Sequence, residues 1–146
     1  MRISAKSRYA LASLVHMGQT CGHENSATIS SMAESLGISK IYLEQVFSLL
    51  KRGGVVTSTK GAQGGYQLAR PMSEITAHHI LSAIELSLFE PAGQTVPERA
   101  PGIEHTLQTE LFAKLDDAIS DTLRQITLEQ LAATAQKHSD GTMYYI

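Results

Sequence analysis

The sequence predicts a mainly α-helical fold with one β-hairpin, and three features carry that prediction. Two short segments with apolar stripes, ending near Leu36 and Arg52, are joined by Gly37-Ile38-Ser39. A β-branched run from Val55 to Thr59 meets the alternating stretch Tyr66-Gln67-Leu68 across a glycine-rich turn. From about Ile103 to Ile126, apolar residues recur every three or four positions. Helix, tight turn, helix and hairpin in that order make a winged helix-turn-helix, and the long helix behind it is expected to serve dimerisation.

With 146 residues, 42% of them apolar and 18% charged, the chain can bury a core without metal or crosslink. Its only cysteine, Cys21, rules out an intrachain disulfide and an all-cysteine metal site, and suits a reducing cytoplasm. The first residues are basic, but the apolar stretch after them is short and broken by Ser13, His16 and Gln19. Neither a secretory signal nor a membrane span is therefore expected. The net charge of −2 hides a division: residues 1–70 hold eight Lys/Arg against three Glu, and residues 71–146 hold four against eleven acidic groups. Salt screens charges beyond about 8 Å, so the basic half can face phosphates whatever the total.

The first helix is expected over Ser7 to Gln19, with Ala10, Leu11, Leu14, Val15 and Met17 on one face and fraying at Gly18 and Gly22. Thr28 can cap the second, which buries Ile29, Met32, Ala33 and Leu36; Gly37 supplies a residue able to take positive φ after its end. Ser39 then caps a helix from Lys40 to Arg52 with Leu43, Val46, Phe47 and Leu50 on a single stripe. The hairpin follows, its turn running Lys60-Gly61-Ala62-Gln63-Gly64-Gly65. Thr76 caps another helix, burying Ile80, Leu81 and Ile84, and the stretch from Glu90 to Pro101 reads as a loop. The row Ile103, Leu107, Leu111, Leu115, Ile119 and Leu123 on the long helix exceeds what a small domain needs for its own core, so a second subunit is expected to cover it. A capping box, Thr127 to Gln130, opens a last short helix, and the chain ends in Met143-Tyr144-Tyr145-Ile146. The expected division is 1–88 for the winged region, 89–102 for a loop, and 103–146 for the dimerisation helix, short helix and tail.

For recognition, the second helix of the motif presents Lys40, Tyr42, Glu44 and Gln45, with Ser39 just before it. Gln suits adenine, Glu suits cytosine N4, and Ser or Lys suits guanine or phosphate. Arg2, Lys6, Arg8 and Lys60 are expected to hold the backbone, while Gln63, Gly64 and Gly65 at the wing tip allow close approach to DNA. Two-fold symmetry would set two such helices about 34 Å apart on a partly palindromic operator in double-stranded DNA. No zinc-protease, Walker or nucleophile-elbow motif occurs, and His78-His79 are adjacent and would point apart on a helix, so no catalytic residue, metal or cofactor is expected. A protein-interaction module is the expectation from a different class. Cys21, near His23, could be a redox thiol or simply a small buried hydrophobe.

The segments Met1-Arg2-Ile3-Ser4-Ala5-Lys6-Ser7-Arg8-Tyr9-Ala10-Leu11, Ile38 to Phe47, Leu50 to Val56 and Lys60 to Leu68 resemble the Rrf2 family of bacterial transcription regulators. The resemblance spans nearly the whole chain. It implies a homodimeric winged helix-turn-helix repressor, with Lys6, Tyr9, Ser39, Tyr42, Leu43, Glu44 and Gln45 at or behind the DNA surface and the wing tip in the minor groove. Many members hold an iron–sulfur cluster on three cysteines before the long helix. Here Glu90 to His105 contains none, and His105 alone cannot hold a cluster. The chain is most similar to the cluster-free branch that represses cysteine metabolism, which implies a partner protein such as a cysteine-biosynthesis enzyme. A cluster-free sensor of another small molecule or of a thiol oxidant is the alternative, with Phe89 to Gly102 as the expected point of entry for the signal.

Overall fold

The computed structural model describes residues 2–61 and 64–142, the side chains of 141 and 142 excepted. Gln63 of the wing tip and the tail Met143-Tyr144-Tyr145-Ile146 therefore lie outside the described residues.

Helix α1 (Ala5–Thr20) starts two residues earlier than its apolar pattern, because Ser4 accepts the Ser7 N–H at 3.2 Å and closes the first turn. Gly18 does not fray it. A Cβ there would lie 2.8 Å from Met72 Sδ and 3.2 Å from Ala132 Cβ, so this glycine is where α1 admits the C-terminal helix. Helix α2 (Ile29–Leu36) is capped by Thr28, and Gly37, at φ 66°, ends it with its N–H on Ala33. Helix α3 (Lys40–Arg52) buries Leu43, Val46, Phe47 and Leu50 in one cluster with Ala10, Leu14 and Met17 of α1.

Strands β1 (Val56–Thr59) and β2 (Gly65–Leu68) pair antiparallel, Val56 opposite Leu68 and Thr59 opposite Gly65. Ala27 and Tyr66 exchange two backbone hydrogen bonds of 2.8 Å, which stitches the tip-side end of β2 to the residues just before α2. That approach leaves no room for a Cβ at Gly65, which would run into the Ala27 carbonyl. Helix α4 (Ala77–Ile84) opens on a capping box in which His79 Nδ1 accepts the Thr76 N–H and Thr76 Oγ1 accepts the His79 N–H, each at 3.2 Å.

The long helix is α5 (Pro101–Thr106), a π-helical stretch (Leu107–Phe112) and α6 (Ala113–Arg124), joined without a break in helical dihedrals. Pro101 in the first turn explains where it begins. Its apolar row is spaced by four. In α geometry each such step overshoots a full turn by about 40°, whereas four residues fall short of the wider π turn. The π stretch therefore takes back part of the drift and keeps the row more nearly straight.

The last helix is not short: α7 runs Leu128–Thr142. The Thr127–Gln130 box caps it at 3.0 and 3.1 Å, and Leu128 and Ala132 are buried against α1 and the turn at Met72–Glu74. Ala77 N–H bonds Ile126 O and Leu128 N–H bonds Ile75 O, both at 2.8 Å, so the exit of the long helix is tied across the entry of α4. Among the described residues, no helix is long and apolar enough to cross a membrane.

Candidate nucleic-acid interface

The second helix of the motif buries one face and offers the other. Lys40, Glu44 and Gln45 are exposed. With Lys6 of α1, Glu44 and Gln45 line an open cleft of about 530 Å³ that also takes in Ile41 and Ser48. Ser39 Oγ accepts the Tyr42 N–H at 3.4 Å, which uses the oxygen as a cap and leaves the hydroxyl proton for an outside acceptor. Tyr42 is half-buried, and the ring of Tyr9 meets it edge-on, centroids 5.1 Å apart. This pair buttresses the start of α3 on α1. Leu43 is fully buried and acts from behind.

Arg2, Lys6 and Arg8 are exposed around the start of α1, and Arg8 Nη1 donates to the Ile3 carbonyl at 2.8 Å. Lys60 and Gly64 are exposed at the hairpin tip, where the Gly64 N–H closes a turn on Gly61 O at 3.0 Å. Gly61 has φ 119°, a conformation that favours glycine. Gly65 is half-buried, its lack of a side chain required by Ala27.

One functional-looking residue escaped the sequence reading. Glu85, just past α4, accepts the Ser4 N–H at 2.8 Å and the Ser7 hydroxyl at 2.9 Å through Oε1. Those hydrogen bonds hold its carboxyl below the ordinary value of 4.5 against the opposing effect of burial. A carboxylate at the start of α1 also suits the helix dipole, and it fixes the turn that carries Lys6.

The long helix leaves apolar surface open. Ile103, Leu111 and Leu115 are 60%, 46% and 50% exposed, and Leu107 is half-buried. Ile119 and Leu123 turn toward the body of the chain, lining an apolar cleft of about 460 Å³ with Leu11, Leu81 and Leu88. In the first segment of this helix, Glu104 is buried and gathers the preceding loop: Oε2 accepts the N–H groups of Thr95 at 3.0 Å and Val96 at 2.8 Å, and Oε1 accepts from Gln108 at 3.1 Å. The Val96 N–H leads the contacts that lower its pKa from 4.5.

His78 and His79 do not converge. His79 Nδ1 serves the cap, while His78 stacks on Phe89 at 4.4 Å and faces Ser82 Oγ at 3.3 Å. Both have pKa values lowered from 6.5, first by burial; Arg124 and His79 add to the shift of His78, and Arg70 to that of His79.

The Rrf2 family profile, described as that of an iron-dependent transcriptional regulator, matches residues 3–134. The HTH-type transcriptional regulator CymR of Bacillus subtilis is 33% identical over 146 residues, covering all of both chains. IscR of Pectobacterium carotovorum is 34% identical over 131 residues, 90% of this chain and 79% of that protein. Among solved structures, CymR, the global cysteine regulator of B. subtilis, superposes with a TM-score of 0.73 at 31% identity, covering 92% of this chain and 98% of that one. Thiolate-held iron does not fit this sequence. Its single cysteine, Cys21, lies in the turn after α1, the loop before the long helix has none, and the Glu104 carboxylate is engaged by the loop backbone. Full-length similarity, the shared fold and the profile match together make this chain a member of the Rrf2 family of DNA-binding transcription regulators.

Proposed function

We propose that the chain is a cytoplasmic homodimeric repressor that reads a partly palindromic operator with α3. The observation that carries this reading is the exposed row on α3, where Glu44 and Gln45 make no side-chain hydrogen bond or ion pair among the described residues and stand beside Lys6. Glu44 and Gln45 read base edges; Lys6, Arg2, Arg8, Lys40 and Lys60 contact phosphates; Tyr9 and Ser39 support the surface, and the tip with Gln63 and Gly64 reaches into the minor groove. The second subunit covers Ile103, Leu107, Leu111 and Leu115, and the row continues toward Ile119 and Leu123. Likeness along the whole chain to a protein described as a global cysteine regulator supports control of cysteine-related genes, with a cysteine-biosynthesis enzyme as the candidate partner protein.

The test is the binding isotherm against salt for a duplex selected from a random pool and for random duplex. Gln45→Ala is expected to narrow the preference between the two. Lys60→Ala is expected to weaken both about equally and flatten the salt slope by about one. Like behaviour of the two variants overturns the division of roles, and failure of the wild-type protein to enrich any sequence overturns specific binding.

A further inference from the structure

Ile41 is not explained by the fold. It is the second residue of α3, out of phase with the buried stripe of Leu43, Val46, Phe47 and Leu50, and 71% exposed. One turn further along its face stand Glu44 and Gln45, then Ser48, and Lys6 borders the same cleft. Those four offer hydrogen bonds or charge, and Ile41 offers only aliphatic surface, at the end of the helix that enters the groove.

Resting on the DNA-binding reading above, we propose that Ile41 is a specificity-determining residue that recognises the C5-methyl group of a thymine. Base edges in the major groove present donors, acceptors and a single apolar group, the thymine methyl. An isoleucine cannot hydrogen-bond, so at a base edge that methyl is what it can distinguish. Gln45 lies about 6 Å further along the helix axis and suits adenine. With base pairs about 3.4 Å apart, the thymine falls within about two base pairs of that adenine. Lys40 and Lys6 supply positive charge for the neighbouring phosphates.

The experiment uses the full chain and the duplex it selects from a random pool. Each thymine is replaced singly by deoxyuridine, which removes only the methyl group, and affinity is measured for the wild type and for Ile41→Ala. At one position in each half-site the wild type is expected to lose about fourfold, equivalent to roughly 0.8 kcal/mol for one buried methyl-sized group. Ile41→Ala is expected to bind the thymine and uracil duplexes alike while keeping the wild-type salt slope. A selected duplex in which no uracil weakens the wild type overturns the assignment alone, as does an Ile41→Ala variant equally sensitive to uracil. A wild type that selects no sequence overturns the DNA-reading proposal and this assignment together.

Discussion

Two apolar rows built from the same residue types end in opposite surroundings. On α3, Leu43, Val46, Phe47 and Leu50 are fully buried among α1 side chains of the same chain. On the long helix, Ile103, Leu111 and Leu115 keep about half of their surface open. Helical periodicity marks both rows as apolar stripes, but it does not say what covers them. The first is closed by its own domain, and the second calls for another surface.

The sharpest test of that contrast is truncation. Phe47→Ala should cost about 3–5 kcal/mol of folding stability by urea denaturation, and Leu115→Ala, measured at concentrations where the chain is monomeric, far less. Equal costs would mean that the long helix is already packed. Next in size, Leu115→Glu should leave the helical content of the monomer intact, abolish dimers in sedimentation, and weaken operator binding about a hundredfold or more through lost bivalency. A dimer that survives the charge would place the interface elsewhere.

Smaller effects probe how the winged region holds its DNA-facing turn. Glu85→Gln should cost about 1 kcal/mol, because an amide accepts the Ser4 and Ser7 donors more weakly than a carboxylate. Since the folded pKa of Glu85 is lowered, its contribution is complete above 4.5 and disappears as pH falls through the lower folded value; the variant should lack that part of the acid slope. The smallest change concerns His79. Its folded pKa is also lowered, so the unfolded chain takes up the proton first, and stability falls as pH drops below 6.5 and levels off beneath the folded value. His79→Gln keeps an acceptor for the Thr76 N–H but has no proton to take up, so the part of the acid slope below pH 6.5 that His79 contributes should disappear. An unchanged slope would show that the cap does not sense the proton.

The helix-turn-helix was legible because its boundaries are local chemistry. Thr28, Gly37 and Ser39 each act on backbone within a few residues, and all three are seen in the expected roles. The outer half of α7 was not legible: Gln136, Lys137, Ser139 and Asp140 carry no apolar period, and the helix is held at its other end by Leu128 and Ala132. Glu85 was invisible for a different reason, since its partners lie 78 and 81 residues away in sequence. Ile41 did leave a trace, an apolar residue out of phase with its own stripe, overshadowed by the polar residues around it. On the expected surface, Lys40, Glu44 and Gln45 are exposed, whereas Tyr42 is half-buried against Tyr9 and Gly65 is committed to Ala27.

The crossed backbone bonds at Ala77 and Leu128 give the long helix a fulcrum. From 101 to 124 it reaches about 36 Å at 1.5 Å per residue, so a tilt of about 5° at that pivot swings its far end by about 3 Å. Movement at the tip is thereby geared down into a small rotation at the root of α4, whose other end grips the first turn of α1 through Glu85. Because Ile80 of α4 is itself buried in the core, a tilt of the long helix about this tie bears on the winged core as well as on the basic turn.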